Sequence, residues 1–254
     1  MSRFIKKLNR EPQAELPPMG FGRAPKTPKP RLLLVAKVNQ ADVARAAALG
    51  EGADAVLLAV EEAAFGIKAF EKISKAVADI PSGILLEKNS GMKKVAAAGV
   101  DFIAFPPETP LEIIEDEEVG KILVIETSME KELLKVIGAM PLDAVLVSGE
   151  EIKQPPFTWN HFMLLRGTAA LCGKPLLLSV AAEMGRDELQ MLWEAGVAGV
   201  VVEAKNTEKI KELRQIIDSL KPPSRKKDKA RAIVPLMREE TTPVIDEDIE
   251  EEED

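Results

Sequence analysis

Residues able to move a proton or to hold an anion stand near the carboxyl ends of several short apolar runs in this sequence. They are Lys37, Glu87 with Lys88, Glu126, Ser148, Ser179 and Glu203. If these side chains meet, a lysine among carboxylates suits an acid, a base or a Schiff-base amine, and a set of carboxylates suits a divalent metal. The alternative interpretation is a salt-bridged polar plug, or side chains that point outward to meet helix ends.

Eight apolar runs must position these residues. Each run lacks alternation, which is typical of strands buried on both faces of a parallel sheet. The stretches between the runs have helical spacing and often end at a glycine, as helices do. The runs are RLLLVAKV (31–38), DAVLLAV (54–60), SGILLEK (82–88), DFIAFP (101–106), KILVIET (121–127), DAVLVSG (143–149), PLLLSVA (175–181) and GVVVEA (199–204).

An internal repeat favours one of the two folds that alternating strands and helices allow. The second, fourth, sixth and eighth strands begin alike, with GADAVLL (52–58), GVDFIAF (99–105), PLDAVLV (141–147) and GVAGVVV (196–202). Two β/α units repeated four times make a closed barrel, whereas an open doubly wound sheet gives no reason for such regularity. The sequence therefore predicts a single α/β (β/α)8 TIM barrel, with candidate site residues at the C-terminal ends of its strands.

The motifs GADAVLL and AGVAGVVV resemble those of the ribulose-phosphate-binding barrels, a superfamily that includes indole-glycerol-phosphate synthase. Lys37 is similar to the first-strand lysine of that enzyme. The Ser-Pro-Ser-type sequence expected after that lysine is replaced by VNQADVA (38–44). The sixth strand, DAVLVSG, has no lysine at the position where Schiff-base aldolases of this fold carry one.

The resemblance also implies a phosphate cup after the seventh and eighth strands, built from backbone N–H groups and a helix N-terminus. The loop AAEMGRD (181–187) has one glycine where a pair is expected, and Glu203 and Lys205 replace the expected small residues. A carboxylate there repels phosphate by about 4 kcal/mol at ~4 Å and an effective dielectric of ~20. Lys205 and Arg186 offset part of this repulsion. We therefore predict that the phosphate site is degenerate.

The longest loop follows the sixth strand, as GEEIKQPPFTWNHFMLLRG (149–167), and contains the only histidine. Long loops on this face often cover a ligand, and His161 suits a general acid or base near neutral pH. Thr158 is placed to cap a helix that runs to Cys172. In the alternative interpretation, apolar neighbours pack this helix on the barrel and His161 is a surface residue. A lone histidine offers no metal-ligand spacing.

The composition excludes several classes of protein. The chain is 46% hydrophobic but only 4% aromatic and has no Tyr, which argues against nucleic-acid binding by base stacking. Its single cysteine cannot form an intramolecular disulfide and fits a reducing compartment. No apolar run is long enough to span a bilayer, and no apolar segment follows the charged start. We expect a cytoplasmic protein without a transmembrane segment.

Charge is concentrated at the two ends of a chain whose net charge is −8. We expect a basic, Pro-rich N-terminal extension (1–30), the barrel (31–221) and a disordered tail (222–254) that is basic and then strongly acidic. Residues 1–10 have the pattern of a basic amphipathic helix, which suits an anionic membrane surface or a partner, with a frayed tail as the alternative.

Met191 and Trp193, in the predicted seventh helix, suit either a dimer face or contact with the sheet.

Two functions remain open on these observations. In the first, the barrel binds a small anionic metabolite or transforms it. The transformation is then expected to be a proton transfer of the lyase or isomerase type. Glu87 or Glu126 is then the proton-transfer carboxylate, Lys37 neutralises a substrate carboxylate or enolate, and Glu203 stands beside them. The residues expected to bind the substrate are Lys88, Ser148, His161, Ser179 and Lys205. In the second, a non-catalytic barrel binds a protein partner through its charged termini.

Overall fold

Eight parallel strands close into a barrel in chain order in the computed structural model. The structure describes residues 2–9, 31–39, 48, 52–60, 63–86, 95, 98–111, 118–149, 152, 156–203 and 205–223, with the backbone alone for 63–65. All of these belong to the unit Met1–Pro223. The barrel predicted from the apolar runs and their repeat is confirmed. Glu87, Lys88 and the tail from residue 224 lie outside the described residues.

Each strand falls within one of the predicted apolar runs or one to two residues beyond it. The strands are β1 (Leu33–Asn39), β2 (Ala55–Val60), β3 (Ser82–Leu86), β4 (Phe102–Phe105), β5 (Gly120–Ile125), β6 (Ala144–Val147), β7 (Leu176–Val180) and β8 (Val197–Glu203). Their side chains alternate between a cluster inside the barrel and a larger cluster beneath the helices. This alternation explains why the strands are apolar on both faces.

Six helices are described. They are α1 (Arg3–Leu8), α2 (Ala63–Ala76), α3 (Lys131–Ala139), α4 (Trp159–Cys172), α5 (Arg186–Glu194) and α6 (Thr207–Ser219). The prediction for α4 is confirmed at both ends, because Thr158 is its N-cap and Cys172 its last residue. Met191 and Trp193 of α5 are partly buried and pack against the outer core. Within the described parts of the chain, no helix is long and apolar enough to cross a membrane.

The aspartates of the sequence repeat lie at the N-terminal rim of the barrel, where they fix strand pairing. The Asp54 carboxylate accepts the Leu34 N–H at 3.0 Å, and the Asp54 N–H donates to the Leu34 carbonyl at 2.7 Å. Asp143 makes the same two bonds with Lys121, at 2.8 and 2.9 Å. Each aspartate therefore clamps one residue of the preceding strand from both sides.

The fourth copy of the repeat, which has Ala198 in place of the aspartate, lacks this clamp. The pairing of β7 with β8 passes from Leu176–Val197 to Leu177–Gly199, so the register shifts at that residue. The strand pair that has an alanine at the repeat position is the pair with the irregular register.

Asp54 also joins the first and the last elements of the barrel in chain order. It is 3% exposed, and its carboxylate accepts from the guanidinium groups of Arg31, just before β1, and of Arg214 in α6, the latter at 2.7 Å. Arg214 and Arg31 share a second carboxylate, Asp218, which is half-exposed. A buried carboxylate with two cations and a backbone donor is satisfied, and the loss of its charge leaves the cations uncompensated.

Asp54→Asn is expected to lower the free energy of unfolding by about 3 kcal/mol, because a buried ion pair loses one partner. Denaturant unfolding measures the change. The matched control is Asp218→Asn, which removes the exposed carboxylate from the same arginines and is expected to cost less than about 1 kcal/mol. Equal losses in the two variants would contradict the role given to Asp54.

Helix α1 closes the N-terminal end of the barrel. Phe4 and Ile5 are fully buried, and Phe4 stacks on Phe102 of β4 with ring centroids 4.5 Å apart. A Cβ on Gly120 would lie 2.6 Å from Ile5 Cγ1, so the glycine at the start of β5 makes room for the helix. The sequence pattern indicated that the apolar side of this helix suits a membrane surface or a partner. The structure shows that it packs inside the barrel instead.

The third aspartate of the repeat, Asp101, fixes α1 in this place. Its carboxylate accepts from the Ser2 hydroxyl at 2.7 Å and from the backbone N–H groups of Arg3 and Phe4 at 2.7 and 2.9 Å. Lys7 donates to the Asp54 carbonyl at 2.9 Å. A carboxylate at a helix N-terminus satisfies unpaired N–H groups and the helix dipole together.

Phe4→Ala is expected to destabilise the protein by about 3–5 kcal/mol, because it leaves a cavity inside the barrel. Lys6→Ala, on the exposed side of the same helix, is the control and is expected to change the free energy of unfolding by less than about 0.5 kcal/mol. Thermal and urea unfolding of both variants test this. A Phe4→Ala loss as small as that of the control would mean that α1 does not close the barrel.

Candidate functional site at the seam of β8 and β1

The predicted strand-end residues that are described follow the inner face of the barrel. Lys37 continues the inward series of Leu33 and Val35, and Glu203 continues that of Val201. The same spacing places Ser179 after Leu177 on β7. It also places Glu126 and Ser148 one step past the ends of β5 and β6. Below this level the inner face is apolar, so polar chemistry is confined to the mouth.

Lys37 and Glu203 are directly paired across the seam where β1 meets β8. The Glu203 carboxylate accepts from Asn39 Nδ2 at 3.2 Å through one oxygen and from Lys205 Nζ at 3.1 Å through the other. Lys37 is half-buried, whereas the Lys205 side chain is 80% exposed. Two lysines and an amide thus surround one carboxylate, and we call these four residues the seam cluster.

The charge of Glu203 is held by its neighbours. The hydrogen bond from Lys205 lowers the pKa of the Glu203 carboxyl below its ordinary value of 4.5. Partial burial opposes this effect, while the Asn39 hydrogen bond and the charges of Lys205 and Lys37 add to it. Glu203 is therefore ionised at neutral pH, and the seam cluster carries one more positive than negative charge.

Glu126 and Ser148 lie on the other side of the mouth. Strand β5 stands opposite β1 in the ring of eight, and Glu126 is exposed and accepts from the Ser128 hydroxyl at 3.3 Å. Ser148 is half-buried, and its N–H donates to the Ile125 carbonyl at 2.9 Å, which extends the pairing of β5 with β6 by one residue. The fold therefore brings Lys37 together with Glu203 and places Glu126 across the opening.

Acidic and amide side chains lie at the two helix N-termini beside the seam. At α5 the Glu188 carboxylate packs against Gly185, and Asp187 also lies in the first turn, but among the described residues no side chain accepts a hydrogen bond as the cap of this helix. At α6 the Asn206 side chain accepts the Glu208 N–H at 2.9 Å. Arg186 donates to the Ser219 carbonyl at the end of α6.

His161 stands at the start of α4 and makes a reciprocal capping arrangement there. Its N–H donates to the Thr158 hydroxyl at 3.4 Å, and its Nδ1 accepts the Thr158 N–H at 3.2 Å. Its ring meets the edge of Phe157 at a centroid distance of 5.8 Å. These contacts give His161 a part in fixing the helix N-terminus. Over the described residues, no group of three His, Cys, Asp or Glu side chains is placed to hold a metal.

Asn39 is the member of the seam cluster that sequence reasoning missed. It follows Lys37 by two residues, so it lies on the same side of β1, and the strand runs on to Asn39 beyond the predicted end at Val38. The available signal was the two-residue period of a β-strand, which places residues 37 and 39 on the same face. A boundary set at the last apolar residue hides a polar residue that still belongs to the strand.

Known structures resemble this barrel at the level of the fold. A mutant tryptophan synthase α-subunit from Pyrococcus furiosus matches with a TM-score of 0.56 and 18% identity, over 74% of this chain and 97% of that one. Tryptophan synthase from Mycobacterium tuberculosis matches with a TM-score of 0.58 and 16% identity, over 74% and 91%. The chain has the fold of these proteins. No protein-family model and no curated protein sequence matches it.

These structures share the predicted TIM-barrel fold, and the resemblance to the ribulose-phosphate-binding barrels stays a prediction. The closer resemblance to indole-glycerol-phosphate synthase and the degenerate phosphate site stay predictions.

Glu203→Gln is expected to remove a pH-dependent part of the stability. Because the folded-state pKa of Glu203 lies below its ordinary value of 4.5, the contribution is present above that pH and is lost as the pH falls through the lowered pKa. Thermal midpoints of the wild type and the variant, measured from neutral pH to about pH 3, should therefore converge at the acidic end. Glu183→Gln, in the loop after β7, is the control. Parallel curves for wild type and Glu203→Gln would contradict the assignment.

Proposed function

We propose that this barrel binds a small anionic metabolite at the C-terminal ends of its strands, and that the seam cluster is the binding site. The observation that carries the proposal is the pairing of two lysines with one carboxylate in the mouth of an otherwise apolar barrel. The surplus positive charge attracts an anion, and the apolar walls strengthen that attraction by lowering the local dielectric.

Within this proposal, Lys37 is the principal counter-charge of the ligand. It lies deeper in the mouth than Lys205 and is half-buried. Ser179, half-buried on β7 two strands from β1, offers a hydroxyl to the same ligand. Asn39 and Lys205 hold Glu203 in position, and the strand phase places Lys37 on the inner side of β1.

The chemistry of the seam favours a carboxylate over a sugar phosphate. Glu203 stays ionised beside the ligand and repels a phosphate dianion about twice as strongly as a carboxylate, but the two lysines also attract the dianion about twice as strongly. The preference for a carboxylate therefore rests on the acidic first turns of α5 and α6, which bring Asp187, Glu188 and Glu208 to the helix N-termini where a phosphate would bind. A degenerate phosphate site is therefore part of the proposal.

If the ligand is transformed, Glu126 is the described carboxylate best placed for proton transfer, because it faces the mouth from the strand opposite Lys37. Lys37 then neutralises the carboxylate or enolate that such a step creates. This arrangement supports a lyase- or isomerase-type reaction, with Glu87 and Lys88 retained from the sequence prediction.

The filled interior favours a second candidate function, that of a non-catalytic barrel that binds a protein partner. Phe4, Ile5 and the inner side chains pack the barrel from its N-terminal end towards the mouth, so the described interior is a core. In this case the seam cluster is a structural salt bridge, and the partner is bound elsewhere, the charged tail being the segment predicted from the sequence.

Thermal shift with the full chain distinguishes the two functions. Pyruvate and lactate, which are monocarboxylates, are expected to raise the unfolding midpoint more than inorganic phosphate does, by up to about 2.7 kcal/mol of stabilisation at a hundred times the dissociation constant. Lys37→Gln should abolish the shift, because it removes the counter-charge. Lys209→Gln, an exposed lysine of α6 paired with Glu212, should retain it.

A shift that survives Lys37→Gln would place the ligand elsewhere and overturn the proposal. No shift with any of the three anions, together with strong destabilisation by Lys37→Gln, would identify the seam cluster as a structural salt bridge. The second function would then stand.

A further inference from the structure

Two neighbouring helices on the outside of the barrel expose an apolar patch. Trp159 is 80% and Met163 62% exposed on α4, and Leu133 and Val136 are more than half exposed on α3. The two helices pack closely, since a Cβ on Gly138 of α3 would lie 2.9 Å from the Cys172 carbonyl of α4. The four side chains therefore belong to one surface, which we call the α3–α4 face.

We propose that the α3–α4 face is the interface of a two-fold symmetric dimer, with α4 of one copy antiparallel to α4 of the other. Trp159 meets the ring of Phe162 at a centroid distance of 5.8 Å but stays 80% exposed, and monomers rarely expose contiguous apolar patches beyond a few hundred Å². Trp and Met are among the residues enriched at the centres of protein interfaces.

The outward residues of α4 make this helix complementary to itself. Four of the five exposed positions of α4, Trp159, Met163, Arg166 and Ala170, recur at intervals of four, three and four residues, which is the spacing of a helix-packing seam. Turned antiparallel about its centre, the seam sets Trp159 against Ala170 and Met163 against Arg166 of the other copy. Each bulky residue then meets a smaller one or the aliphatic stem of an arginine.

A two-fold axis requires such a pattern, because residue i contacts j while j contacts i. Gly167 adds to it, since a Cβ there would meet nothing within 4 Å in its own chain. That glycine lies beside Ala170 and Arg166 on the outward side and leaves space for the Met163 side chain of the other copy.

The charges of α4 favour a second copy over a partner of different sequence. Among its fourteen residues only Arg166 carries a fixed charge, and its guanidinium donates to the Glu194 carbonyl at the end of α5. In the antiparallel arrangement Arg166 faces Met163, so the two arginines do not meet. Two copies of a nearly neutral face can approach each other without charge repulsion. Binding of a different protein that is guided by electrostatic attraction requires opposite charges on the two faces.

The area is of the size that a dimer needs. With about 150–250 Å² for a large side chain, four side chains that are more than half exposed present on the order of 400 Å². A stable interface removes about 800 Å² from each partner. The patch supplies about half of that area, and the flanking parts of α3 and α4 surround it.

The test uses the full chain and three substitutions at exposed positions. Sedimentation velocity over a range of concentrations is expected to show a species of twice 27.7 kDa for the wild type. Met163→Lys places a second cation against Arg166 and should weaken the dimer by about tenfold or more. Met163→Glu places a carboxylate there and should weaken it much less. Leu111→Lys, at an exposed leucine after β4, is the control and should leave the dimer unchanged.

Circular dichroism and unfolding midpoints show that each variant is folded. A wild type that stays monomeric at every concentration overturns the proposal and leaves the face for a different protein. A dimer that Met163→Lys does not weaken also overturns it. Equal weakening by Met163→Lys and Met163→Glu contradicts the antiparallel pairing, whereas the charge-dependent difference supports it. The result does not depend on the ligand proposed for the mouth.

Discussion

The buried carboxylate of Asp54 is the contact on which closure of the barrel depends. A closed ring of strands needs the first and last elements to meet in one register, and Asp54 binds Arg31 before β1, Leu34 within β1 and Arg214 in α6. Because the carboxylate is buried, its partners are held by strong electrostatic forces and by the cost of leaving any of them unpaired. The register at the β1–β2 pair then propagates round the ring.

The aspartate that recurs in the sequence repeat has two structural roles at the N-terminal rim. Asp54 and Asp143 clamp the strand before them, whereas Asp101 binds the start of α1 and thereby closes the barrel floor. With that floor filled by Phe4 and Ile5, the interior is apolar up to the mouth. On the inner face of the barrel, polar side chains can then meet only at the opposite rim, which is why the candidate chemistry is placed at the C-terminal strand ends.

At that rim, Glu203 stands where the sequence resemblance predicts small residues of a phosphate cup. The donors that surround it, Asn39 and Lys205, are of the kind that would bind an external anion. In the proposed function, the ligand therefore meets this carboxylate together with the lysines around it. The fold is shared with tryptophan synthase α-subunits.

The sequence by itself determined the eight strands, their closed order and the helix from Thr158 to Cys172, because apolar runs, a repeat and a capping residue are local signals. It placed Lys37 and Glu203 at strand ends but left open which face of the strand each occupies. Only the tertiary structure decided that these two are neighbours while Glu126 stands opposite, because strand register depends on contacts between distant residues. The tertiary structure also decided the position of α1. A helix of six residues is marginally stable alone, and the core that it enters stabilises it.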